Sequence, residues 1–84
     1  MFMHFHAAEF ETASLRARQR WADHIDGLLG ERCDRPEALR EVHDILVDPN
    51  VAVRTEDLHD LVASIRRGTP DSLDAFVASY RHPA

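Results

Sequence analysis

The sequence predicts an all-α fold, a small four-helix bundle with one long N-terminal helix, three shorter helices and a short extended arm ahead of them. Three observations predict it. Apolar residues recur at spacings of three and four in four separate segments, the period of a helix that buries one face. Gly30, Pro36, Pro49, Gly68, Pro70 and Pro83 fall at the edges of those segments, where helix starts and stops accommodate them. The one strand-like stretch, "NVAVR" at residues 50–54, is too short to argue for a sheet.

The arm is assigned to residues 1–7 and a single helical domain to residues 8–82. In an extended arm, alternation places Phe2, His4 and His6 on one side and Met1, Met3 and Phe5 on the other. Two methionines and two phenylalanines within five residues are costly to leave in water, so the arm is expected to pack on its own bundle or on a partner. His-x-His can also aim two imidazoles at one metal ion. Zinc or copper wants three or four ligands, so Glu9, His24, Cys33 or His82 would have to be brought near His4 and His6.

The first helix is expected over residues 8–29. Phe10, Ala13, Ala17, Trp21, Ile25, Leu28 and Leu29 form its apolar stripe, and Gly30 stops it. The arc is wide, extending toward Leu15 and Ala22, and Arg18 falls inside it. An arginine in an apolar arc must pair, snorkel or sit in an interface. Glu11, seven residues earlier, and a neighbouring helix are candidate surface pairs, while Phe10 and Trp21 nearby favour an interface.

In the second segment Asp34 is expected to cap, Pro36 to sit in the first turn and Glu37 to complete a capping box, with Leu39, Val42, Ile45 and Leu46 inward and Pro49 barring continuation. Val51 and Val53 of the link can cover a core edge. A third helix begins near Thr55, carries Glu56 and Asp57 where the helix dipole favours anions, and ends at Gly68 after Arg66 and Arg67. Thr69 and Pro70 are expected to open a fourth, with Leu73, Phe76, Val77 and Tyr80 on one face. "DLHDLVASIR" and "SLDAFVASYR" share a pattern at an offset of fifteen residues, either a duplicated hairpin or two amphipathic helices that reached one solution.

Composition narrows function more than any motif does. At 84 residues the chain makes one domain that buries about 60–65% of its unfolded surface, so a dimer would relieve a small core. The formal charge of −5 disfavours nucleic acid. No apolar run approaches a membrane span, and a lone cysteine with no secretory leader points to the cytoplasm. All ten basic side chains are arginine, a bias expected of a GC-rich bacterial genome. Protonating all six histidines would carry the charge from −5 to +1, so acid-responsive association is conceivable.

No Gly-rich phosphate loop, Ser-centred elbow or CxxC occurs, and Cys33 has no base fixed beside it, so no enzyme is expected. Glu56 and His59 form half of a di-iron motif whose second half is absent. His59 lies off its helix's apolar stripe and reads as a surface histidine; His24 and His43 read as core-edge residues. Arg16 and Arg20 share a solvent face opposite Arg18, and Asp71 and Asp74 would meet phosphate at the start of the last helix, so DNA binding ranks third. The primary expectation is a small cytoplasmic protein-interaction module, a regulator, inhibitor or adaptor that also self-associates and needs no cofactor. Its expected contact residues are Met1, Phe2, Met3, Phe5, Phe10, Arg18 and Trp21. The alternative is a metal or haem binder built on His4 and His6.

Overall fold

The computed structural model describes residues 11–81, which form an all-α four-helix bundle. The helices are α1 (Leu15–Leu29), α2 (Pro36–Val47), α3 (Thr55–Arg67) and α4 (Ser72–Arg81), with a 3₁₀ turn at Gly30–Arg32. The arm, His4 and His6, and Phe10 lie outside the described residues.

Side-chain contacts between helix ends fix the topology. Arg18 near the start of α1 reaches the last turn of α2, so these two run antiparallel. Arg35 at the start of α2 pairs with Asp74 in the first turn of α4 at 2.9 Å, so α2 and α4 run in the same direction. Tyr80 at the end of α4 meets Arg54 and Asp57 at the start of α3, which sets that pair antiparallel. Packing therefore runs α1, α2, α4, α3 and back to α1.

At the centre Ile25, Val42, Ile45, Leu46, Val53 and Leu58 are sealed from solvent, joined by Leu61, Val62, Leu73, Phe76 and Val77. The two similar segments are buried alike: Leu58 and Leu73, Leu61 and Phe76, and Val62 and Val77 are buried pairs at equivalent positions of α3 and α4. In α2 the small Ala38 is buried and Leu39 only partly so, because Leu39 sits at the stripe's edge against the core.

Three boundaries differ from the sequence expectation, each for a local hydrogen-bonding reason. The first helix does not extend back through residues 11–14. Ser14 adopts an extended conformation and its hydroxyl accepts from Ala17 N–H at 3.1 Å, an N-cap that starts α1 at Leu15. The preceding residues pair with the α2–α3 link instead: Ala13 N–H donates to Val53 O at 2.9 Å, and Thr55 N–H to Glu11 O at 3.1 Å. Ala13 stays buried although it is not helical.

The second boundary is the start of α2, where Arg35 rather than Asp34 is the cap residue and no side chain caps it. Pro36 at the first helical position already removes one of the donors a cap would serve. The third is α4, which opens at Ser72. Asp71 holds φ 62°, a left-handed conformation that an aspartate tolerates better than most residues, and this ends the Thr69–Pro70 turn. The end of α3 is as expected: Gly68 at φ 75° turns its N–H to Ile65 O, and Thr69 N–H returns to Ser64 O.

Candidate functional site

Helix α1 contributes to two polar features of the bundle. The first is Arg18, which is only 5% exposed. Its Nε–H donates to Ala13 O at 3.1 Å, one terminal nitrogen to Asp48 O at 3.0 Å and, at the limit of hydrogen bonding, Leu46 O at 3.5 Å, and the other to Val51 O at 2.6 Å. The acceptors belong to the lead-in to α1, the C-terminal end of α2 and the link, so one guanidinium ties three segments together; Leu46 O lies in the last turn of α2, where helix geometry leaves carbonyls unpaired, and Asp48 O also accepts the Val51 N–H. A cation at the C-terminal end of α2 is also favoured by that helix's dipole. Arg18, expected in a surface pair with Glu11 or a neighbouring helix or in an interface, instead spends its guanidinium on backbone carbonyls inside its own fold.

The second feature is a groove of about 510 Å³, open to solvent, lined by Ala17, Arg20, Trp21, His24, His59, Val62 and Arg66. The spacing makes it. Ala17, Trp21 and His24 lie on one face of α1, with Arg20 beside them, and His59, Val62 and Arg66 on one face of α3. Trp21 meets His59 edge to face, with ring centroids 4.8 Å apart and planes at 85°. His24 also meets Trp21 near-perpendicularly, at 6.4 Å and 79°. Perpendicular contacts of this kind hold an indole without stacking over it.

Arg66 donates to Nε2 of His24 at 3.4 Å, a long contact; guanidinium has no acceptor, so the imidazole nitrogen accepts. Among the described residues no carboxylate pairs with Arg20 or Arg66, whereas Arg35 and Arg54 each have one. The groove is therefore a concave cationic surface around a half-buried aromatic, in a chain whose overall charge is negative.

Away from the groove, the Tyr80 hydroxyl donates to Asp57 Oδ2 at 2.6 Å and accepts from Arg54 N–H at 3.0 Å. Burial, then the bond to the Asp57 carboxylate, pushes this phenol up to about 12, although the Arg54 N–H pulls the other way. The hydroxyl satisfies the backbone N–H of Arg54, the N-cap residue of α3, whose own side chain makes no capping hydrogen bond. His43 and Asp26 approach to 2.9 Å across α1 and α2.

Of the seven expected contact residues, Trp21 lines the groove, Arg18 faces inward, and Met1, Phe2, Met3, Phe5 and Phe10 lie outside the described residues. Among the described residues no three His, Cys, Asp or Glu side chains are placed to hold a metal ion. Arg20, His24, His59 and Arg66 did not emerge as a site from sequence. Each sits off its own helix's apolar stripe, and the signal lies in pairing two such off-stripe faces, which requires knowing that α1 and α3 are neighbours. No helix among the described residues is long and apolar enough to cross a membrane. No protein-family model, curated protein or solved structure is significantly similar to the chain.

Proposed function

We propose that this chain is a small protein-interaction module, a regulator, inhibitor or adaptor that acts by binding a partner protein, and that the α1–α3 groove is its contact surface. The observation that carries this reading is Trp21. A tryptophan left half-buried in a groove that is also lined by an arginine from each helix has the composition of an interface anchor, since Trp, Tyr and Arg supply most large binding contributions. The bundle's own core is closed by Ile25, Val42 and Leu46 without needing the rest of the indole.

Self-association belongs to the same proposal. It is supported by Leu15 and Val47, which are 46% and 60% exposed at the end of the bundle where α1 begins and α2 finishes. The chain is proposed to work in the cytoplasm, in keeping with its single unpaired Cys33.

The test is capture from the native host by the wild-type chain and by Trp21→Ser, with circular dichroism of both and solution mass by light scattering. The reading predicts a discrete partner band that the variant loses while keeping its helical signal. Equal capture by both would remove the groove from the account.

A further inference from the structure

We infer that the groove recognises an acidic peptide segment, one that places an apolar side chain against Trp21 and carboxylates on Arg20 and Arg66. The inference rests on the groove being the contact surface and adds the chemistry of the partner. It follows from the contrast between the groove and the rest of the molecule. The chain has 15 acidic side chains to 10 arginines, yet none of the seven lining residues is acidic and two are arginine. The arginines stand one on each helix, Arg20 on α1 and Arg66 on α3, so a segment lying between the helices meets a cation on either side.

The contacts within the groove leave those cations available. Among the described residues Arg66 has only its long contact to His24, and Arg20 has no carboxylate partner. Guanidinium binds carboxylate through two parallel hydrogen bonds, which gives direction as well as attraction. Ala17, Trp21 and Val62 supply the apolar part of the lining, and the histidines hold the indole edge-on. A volume of about 510 Å³ lies within the range of ligand-binding clefts.

Phosphate would satisfy the same arginines, but a nucleic acid would also bring its neighbouring phosphates against a chain of net charge −5. A peptide can confine its negative charge to the groove. The inference therefore commits to protein.

The experiment is selection of a random dodecapeptide display library on the purified full chain. Enriched peptides are then measured against wild type, Trp21→Ala, Trp21→Phe and the double variant Arg20→Gln/Arg66→Gln. Enriched sequences should carry Asp or Glu on both sides of an aromatic or leucine. Their affinity should fall about tenfold or more in the double arginine variant, whose exposed side chains can change without loss of fold, and should weaken as salt rises. Trp21→Phe should retain part of the binding that Trp21→Ala loses.

Groove-dependent sequences with no acidic bias, or affinity indifferent to the two arginines, would overturn this inference and leave the interaction reading standing. No enrichment that depends on Trp21 would overturn both. Tighter binding of a single-stranded oligonucleotide than of any selected peptide, lost in the double arginine variant, would overturn it in favour of phosphate.

Discussion

Arg18→Met should destabilise the fold by about 3 kcal/mol. Methionine keeps the length of the buried stem and removes every donor. Three good hydrogen bonds are lost, at 2.6, 3.0 and 3.1 Å, together with a long one at 3.5 Å. A bond to a charged donor contributes about 1.5–3 kcal/mol net, and an orphaned buried acceptor costs about 1–3 kcal/mol. The carbonyls of Asp48 and Val51 are only part-buried in these contacts, so water can replace some of what is lost, which brings the sum down to about 3 kcal/mol.

The whole 84-residue domain, at about 0.05–0.15 kcal/mol per residue, has about 4–13 kcal/mol in hand, so this one change removes a large share. The assay is urea denaturation followed by far-ultraviolet circular dichroism. The midpoint should drop with an unchanged slope, and Tm should fall by about 12–24 °C, given about 4–8 °C per kcal/mol in a domain of this size. Arg18→Lys should recover only about a third of the loss, because a single ammonium cannot fork across acceptors on three segments. Arg20→Met, two residues on and exposed, should stay within about 0.5 kcal/mol of wild type. An Arg18→Met protein as stable as Arg20→Met would show that the carbonyl cluster does not depend on this side chain, and the clamp would be refuted.

Other perturbations test the remaining parts of the fold. The Tyr80 phenol is held up at about 12 against an ordinary value near 10, so its contribution is complete below pH 10 and is lost as pH rises from about 10 to 12. A shift of this size corresponds to about 2.7 kcal/mol, which solvent screening of a partly exposed hydroxyl reduces to about 1–2 kcal/mol. Tyr80→Phe should lose about 1 kcal/mol at neutral pH and flatten this alkaline decline, a clean comparison because the chain has no lysine and no second tyrosine; an unchanged decline would contradict it. Gly68→Ala should cost about 1 kcal/mol despite open space around its Cβ position, since φ 75° itself is the constraint. Gly27→Ala, in helical backbone and equally open, should stabilise by about 0.5–1 kcal/mol, and the opposite order in thermal melts would contradict the backbone assignment. Ile25→Ala should cost about 2–5 kcal/mol and Leu15→Ala under about 0.5 kcal/mol, which calorimetry can separate.

The helical class and the core were legible because they rest on local signals. Ile25, Val42, Ile45, Leu46, Leu61 and Val77 fall at the helical period, and Gly68 ends α3 where a left-handed residue was required. The start of α1 was not. The apolar spacing of Ala13 and Ala17 continues through a helix cap, and periodicity cannot distinguish a residue buried on a helix from one buried in an extended lead-in. Ser14, a good N-cap residue, was the available signal. Arg18 was recognised as anomalous, yet its partners are backbone carbonyls, which have no side-chain signature in a sequence. The groove was hidden for a different reason. Arg20, His24, His59 and Arg66 read singly as surface or core-edge positions on two helices and become a site only once α1 lies beside α3.

The most direct measurement on the groove is site-resolved photo-crosslinking in the native host, with a photoreactive residue replacing Ala17 or Arg66 in one set of variants and the exposed Arg40 or Asp44 of α2 in another. The account predicts a discrete protein adduct from positions 17 and 66 and none from positions 40 and 44. Adducts confined to α2, or an equal pattern from both faces, would contradict it.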